Sequence, residues 1–212
     1  MRLPRGIFVT GTGTEVGKTV ASAWLMRRLD ADYWKPVQSG LEGETDTEVV
    51  RRLTGFPPDR FHASTYETKA PLSPHESARR EGRLIELKAF TLPSAVRPVV
   101  AEGAGGVLVP LNEHVLMIDL MAQLGLPVVI VALSGLGTIN HTLLTLEALR
   151  ARALEVAGVV MNGPLNEANR RAIEDYGRVR VIAEIPRLDP LNDETLATVA
   201  PTSSFGIEDF LQ

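Results

Sequence analysis

A chain of 212 residues that is 44% hydrophobic is long enough to bury one sizeable core, and no composition break divides it, so a single domain over residues 1–212 is expected. The net charge of −4 argues against nucleic acid or an anionic membrane as partner, because both need a basic face. With no cysteine, disulfides, thiolate metal sites and thiol nucleophiles are excluded. Residues 1–6 precede a run too short for the core of a secretory signal. The longest apolar stretch, 126–133, falls far below the ~20 residues of a membrane span, so a cytoplasmic protein is expected.

Residues 7–9 form the first apolar run and lead into Gly11-Thr12-Gly13-Thr14-Glu15-Val16-Gly17-Lys18-Thr19. A strand entering a glycine-rich turn that ends in Gly-Lys-Thr is the sequence form of a phosphate cradle. Backbone N–H groups wrap the phosphates, Lys18 reaches the β- and γ-phosphates, and the Thr19 hydroxyl is placed to ligate Mg²⁺. The helix expected from Lys18 to residue 29 points its positive end at the same oxygens. The spacing is unusual: five residues separate Gly11 from Gly17, and Thr12 stands where the standard pattern wants its first glycine.

Lys35 follows the hydrophobic pair Tyr33-Trp34 and precedes Pro36-Val37-Gln38-Ser39-Gly40. It reads either as a lysine snorkelling at a strand end or as a retained point charge. Only four of the 22 basic residues are lysine, at positions 18, 35, 69 and 88, which favours the second reading. A helix is expected over 45–54. Within it Asp46 reads equally as a helix N-terminal acid or as a metal ligand. Residues 56–94, rich in proline with a short helical stretch at 75–81, read as an excursion before the sheet resumes.

The apolar run 98–101 ends in Glu102 and Gly103-Ala104-Gly105-Gly106. A carboxylate at a strand end, with the Thr19 hydroxyl, offers the oxygen ligands Mg²⁺ prefers, and the glycines let backbone approach a phosphate without a Cβ clash. Further strands are expected at 127–133, 156–161 and 179–185, and helices at 115–124, 140–153 and 167–176. Continuous apolar runs alternating with helices predict a doubly wound α/β fold, the sheet mostly parallel with helices on both faces, and ligands beyond the strands' carboxyl ends. The four histidines show no metal-ligand spacing, no serine sits in a nucleophile-elbow frame, and Trp24 and Trp34 read as core.

The ordered set of these segments, with Ser73-Pro74-His75, Leu136-Gly137-Thr138-Ile139-Asn140-His141 and Asn162, resembles the dethiobiotin synthetase family over most of the chain. The long spacing of the phosphate loop is itself a family trait. The resemblance implies a P-loop ligase that uses ATP and Mg²⁺ to join CO₂ to diaminopelargonic acid. The route runs through a carbamate and its mixed anhydride with phosphate to a cyclic urea.

It further implies that Lys18 and Lys35 are catalytic and that Thr19, Asp46 and Glu102 surround the metal. Thr14, Glu15, Val16, Gly17, Gly103, Ala104 and Gly105 would line the nucleotide. Asn162 would read the adenine, with Gly163, Pro186, Arg187, Leu188 and Asp193 around it. Thr14 and Ser39 would contact the substrate. Leu136, Gly137 and Asn140 would do so near the interface of a homodimer. Gly13 stands where family members often carry a side chain, and Gly163-Pro164 replaces an acidic continuation found in some members. The competing reading is a nucleotide switch of the chromosome-partitioning or septum-placing type. Such switches usually carry an extra lysine at the position held here by Gly13.

Overall fold

The computed structural model describes residues 6–202, so residues 1–5 and 203–212 of the expected domain lie outside the described residues. In chain order the first half contains β1 (Gly6–Gly11), α1 (Lys18–Arg28), β2 (Asp32–Trp34), β3 (Val37–Ser39) and α2 (Asp46–Thr54). It continues with β4 (Phe61–His62), β5 (Tyr66–Thr68) and α3 (Pro74–Arg80). The second half contains β6 (Val99–Gly106), α4 (Met117–Leu124), β7 (Val128–Leu133), α5 (Thr138–Ala151), β8 (Val156–Asn162), α6 (Glu167–Gly177), β9 (Val181–Ile185) and α7 (Asp193–Ala197).

Seven strands form one sheet in the order β4-β2-β6-β1-β7-β8-β9, every ladder parallel. The pleat sends alternate side chains to opposite faces. Phe8 joins Trp34, Ala101 and Ile130 against α4, α5 and α6, whereas Ile7 and Val9 join Tyr33, Val100 and Val129 against α1, α2 and α7. Both faces are covered, which is why the strands read as unbroken apolar runs. β1 lies at the centre, with β6, β2 and β4 on one side and β7, β8 and β9 on the other. The crevice at its carboxyl end is therefore the topological switch point where such sheets bind ligands. Trp24 and Trp34 are core residues, their indole N–H groups donating to the carbonyls of Val199 and Ala63.

Two features depart from the expected pattern. The strand predicted at 98–101 continues through Glu102 to Gly106, so Glu102 sits mid-strand and not at its end. Three glycines in that extension let the backbone shift register beside β1, with Gly11 opposite Gly106. The excursion at 56–94 holds α3 and the strand β5, which pairs in parallel with β3 as a separate two-stranded sheet. Strands of two or three residues carry too little periodicity to be seen in a sequence. Among the described residues no helix is long and apolar enough to cross a membrane.

Candidate active site

The loop between β1 and α1 is held by backbone that only glycine tolerates at two points. A Cβ on Gly11 would lie 2.6 Å from the Gly13 carbonyl oxygen, and Gly17 caps α1 with φ +90°. Nothing lies within 4 Å of where a Cβ on Gly13 would project, so the missing side chain leaves open space and no defect. Lys18 is buried and donates from Nζ to the Gly13 carbonyl at 3.0 Å, its charge folded onto the loop. Burial, and then the nearby Lys35 charge, holds the Lys18 ammonium below the usual lysine range.

Beside the start of α1 the acids and bases converge. The Thr19 hydroxyl donates to Asp46 Oδ1 at 2.6 Å and lies 3.3 Å from Glu102 Oε1. Lys35 Nζ is 2.7 Å from Asp46 Oδ2 and 2.9 Å from Glu102 Oε1, and it donates to the Gly103 carbonyl at 3.2 Å. Tyr33 donates its hydroxyl to Glu102 Oε2 at 3.0 Å. Lys35 is 3% exposed and Glu102 0%.

These charges sustain one another. Burial opposes the charge on Lys35, but Glu102 and Asp46 outweigh it and raise the ammonium above its usual range. Burial likewise opposes ionisation of Asp46, and the Lys35 charge, with hydrogen bonds from Lys35 and Thr19, reverses this and lowers the carboxyl below its usual range. The Asp46 contribution to stability is therefore complete above the ordinary carboxylate pKa and lost only as pH falls through the depressed value. That of Lys35 is complete below the ordinary lysine pKa and lost as pH rises through the raised one. Burial and the Glu102 charge push the Tyr33 phenol well above its usual range, so its hydroxyl stays a donor.

The carboxylate pair already grips a cation, the Lys35 ammonium, with the Thr19 hydroxyl alongside. Among the described residues no three of His, Cys, Asp or Glu gather as a metal site. Two carboxylates and a hydroxyl suit Mg²⁺, which keeps several waters and takes the remaining oxygens from phosphates.

The structure thus brings Lys18, Thr19, Lys35, Asp46 and Glu102 into one cluster. Asn162, at the end of β8, donates its amide to the Val16 carbonyl at 3.1 Å, tying the loop to the neighbouring strands. Gly163, with φ +127°, packs against Ser134, and Pro186, Arg187 and Leu188 follow β9 along the same edge. Ser39 lies on β3, its hydroxyl accepting from Thr68 at 3.1 Å. Gly103 is pressed against Phe8, whose ring would lie 2.8 Å from an added Cβ, and Gly105 adopts φ +65° beside Val109 and Thr14, with Ala104 between them. Thr14 and Glu15 are exposed on the loop, with Val16 buried beneath.

Two groups stand apart from the cluster. Leu136 and Asn140 are exposed and Gly137 caps α5 with φ +91°, so this segment faces solvent. Asp193 pairs with Arg27, nine residues along α1 from Lys18 and so about 13.5 Å from the loop at the helical rise. Tyr33 is the member that sequence reasoning passed over as half of a hydrophobic pair. Its signal was a place two residues before Lys35, the spacing at which an extended chain turns side chains to the same side.

A central parallel strand, a glycine loop capping a helix with Lys-Thr, and carboxylates beside the threonine define a P-loop nucleotide-binding protein. A family model described as an AAA domain matches residues 5–195. The chain is 57% identical over 197 residues to the ATP-dependent dethiobiotin synthetase BioD of Paramagnetospirillum magneticum, covering 93% of this chain and 95% of that protein. It is 46% identical over 206 residues to the namesake from Nitrobacter hamburgensis, covering 97% of each. It is also 55% identical to the biotin biosynthesis bifunctional protein BioCD of Bordetella avium, covering 92% of this chain and 42% of that longer protein. The chain belongs to the dethiobiotin synthetase family. The solved ParA family ATPase from Chlorobium tepidum superposes with a TM-score of 0.58 at 12% identity over 99% of this chain and 97% of that one, a likeness of fold alone.

Proposed function

We propose that this chain is a ligase that closes diaminopelargonic acid and CO₂ into dethiobiotin, using ATP and Mg²⁺, within a single domain spanning 1–212. The observation that carries the reading is the cluster of Lys18, Lys35, Thr19, Asp46 and Glu102 at the mouth of the phosphate loop. It supplies cations and metal-ligating oxygens and no covalent nucleophile, which is what a positioned phosphoryl transfer requires.

One amine of the substrate adds to CO₂ and loses a proton, giving a carbamate. A carbamate oxygen attacks the γ-phosphorus of ATP and ADP departs. The second amine then attacks the carbamoyl carbon and expels phosphate, closing the ring. Lys18 holds the β- and γ-phosphates, and Lys35 the carbamate and the charge that develops between them. Thr19, Asp46 and Glu102 would hold Mg²⁺, which when bound neutralises charge on the transferring phosphoryl group.

Thr14, Glu15, Val16 and Gly17 cradle the phosphates from one side, and Gly103, Ala104 and Gly105 close on them from the other. Asn162, Gly163, Pro186, Arg187 and Leu188 form the base end, with Asp193, paired with Arg27, following them in the chain. Ser39 and Thr14 face the substrate. The exposure of Leu136, Gly137 and Asn140 at the N-terminus of α5 favours a homodimer in which this segment serves the neighbouring site. Dependence on ATP favours action in the cytoplasm. The partitioning-type switch rests on fold likeness alone, and Gly13 leaves no side chain where such a switch needs its lysine.

Full-length protein supplied with ATP, Mg²⁺, bicarbonate and diaminopelargonic acid is expected to release ADP, phosphate and dethiobiotin in equal amounts. Mass spectrometry decides it, and ATP hydrolysis without the cyclic urea rejects the assignment. Light scattering of the active enzyme is expected to return twice the mass of the chain. An active monomer would remove the shared-site role of Leu136, Gly137 and Asn140.

A further inference from the structure

The two oxygens of Glu102 have different neighbours. Oε1 faces Thr19 at 3.3 Å and Lys35 at 2.9 Å, toward the cation position. Oε2 faces away, at 3.0 Å from the Tyr33 hydroxyl. Register explains the pairing: Tyr33 lies opposite Val100 in the β2–β6 ladder, and the pleat puts Tyr33, Val100 and Glu102 on one face of the sheet. The Tyr33 ring is fully buried and meets Phe61 at 6.2 Å between centroids, so the hydroxyl has no freedom to leave. Glu102 is 0% exposed, so no solvent competes for Oε2.

We infer that Tyr33 is a positioning residue that makes Glu102 a one-oxygen ligand and thereby selects Mg²⁺ over Ca²⁺. The inference rests on the proposed role of Glu102 at the metal. Mg²⁺ wants single oxygens in a near-ideal octahedron at about 2.1 Å, whereas Ca²⁺ takes roughly six to eight oxygens at longer range and readily accepts both oxygens of a carboxylate. Tyr33 reserves Oε2 and so withholds the second oxygen. Tyr33→Phe deletes one atom, keeps the ring in place, and frees the carboxylate to turn both oxygens toward the cation. The group acts through Glu102 and touches neither nucleotide nor substrate.

The test is calorimetric titration of Mg²⁺ and of Ca²⁺ into the full chain loaded with a non-hydrolysable ATP analogue, comparing wild type, Y33F and E102Q. E102Q is expected to lose Mg²⁺ affinity; if it keeps the wild-type value, the assignment of Glu102 itself fails. Y33F is expected to bind Mg²⁺ about tenfold more weakly, the usual effect of removing a group that orients a metal ligand. It is expected to bind Ca²⁺ no more weakly than wild type does, and metal-free analogue equally well. Equal losses for the two cations, or no loss for Mg²⁺, in a protein where E102Q does abolish binding, overturn the role of Tyr33 alone. Should Y33F not fold, wild-type protein labelled with 3-fluorotyrosine gives three ¹⁹F resonances, assigned through Y66F and Y176F. The Tyr33 resonance is expected to move as Mg²⁺ saturates the analogue-loaded site, and a resonance that stays still rejects the proposal.

Discussion

Replacing Lys35 by glutamine is expected to cut turnover by about a hundredfold to a thousandfold, the usual cost of removing one preorganised positive group from a transition state. ATP binding should stay close to wild type, since Lys35 contacts Asp46, Glu102 and the Gly103 carbonyl and no part of the loop itself. The substitution has a second consequence. Removing one partner of a buried ion pair costs about 3–5 kcal/mol because the remaining charge is left uncompensated, and Glu102 is fully buried. In the presence of a chelator the variant should therefore unfold at lower denaturant than wild type, and excess Mg²⁺ should restore most of the difference.

The pH dependence should also weaken. In the wild type Lys35 lowers the Asp46 pKa, so stability falls with acid. Without Lys35, only the Thr19 hydrogen bond and the Lys18 charge still oppose the burial that raises that pKa, so metal-free K35Q should lose less stability in acid than the wild type does. Denaturant unfolding at several pH values with and without Mg²⁺, alongside ATP titration and a steady-state turnover assay, checks all four outcomes. Collapse of ATP affinity, or stability indifferent to Mg²⁺, would mean that Lys35 is not the cation occupying the carboxylate pair.

The phosphate loop was legible because its chemistry is written in consecutive residues. The carboxylate cluster was only half legible, and Asp46 shows why. Its position in the first turn of a helix is favoured by the helix dipole whether or not it has another task. The structure separates the two roles by giving the capping to others. Thr45 and Glu48 form the reciprocal capping box, which leaves the Asp46 carboxylate for Thr19 and Lys35. A sequence lists these acids side by side without saying which one turns inward.

Glu102 was legible as a functional acid but not as a mid-strand residue. Its strand continues through glycines that carry no β-propensity, and the partner strand supplies the ladder. Tyr33 was hidden for the opposite reason. A tyrosine beside a tryptophan in a short apolar run reads as core, and most of it is core; only the position of its hydroxyl, fixed by pairing with a distant strand, gives it a second role. The proposed base end was least legible, since Asn162 ends β8 whereas residues 186–188 follow β9, and neither carries a local motif.

Gly17→Ala is expected to weaken ATP binding about thirtyfold to a hundredfold, an estimate that follows from two separate costs. An alanine held at the φ of +90° seen at Gly17 lies in the left-handed region, at roughly 1–2 kcal/mol. Its Cβ would also lie 1.9 Å from the Asn162 amide nitrogen, so that amide must swing away and release the Val16 carbonyl. The lost hydrogen bond adds about 1 kcal/mol, and the total of about 2–3 kcal/mol converts at tenfold per 1.4 kcal/mol. The cost falls on nucleotide affinity because the strained residue is the cap whose backbone faces the phosphates.

The double variant with Asn162→Ala removes the clash and keeps the backbone strain, so its deficit beyond Asn162→Ala alone should be smaller than that of Gly17→Ala in the wild-type background. Calorimetric titration of ATP into the four proteins measures this directly. Purely additive losses would mean that the Asn162 amide does not constrain Gly17. Repeating the titration with GTP separates the two tasks of Asn162. If the residue chiefly braces the loop, its alanine variant weakens both nucleotides alike; if it reads the base, ATP alone suffers. The amide is committed to the Val16 carbonyl, so the larger part of the loss is expected to be common to both nucleotides.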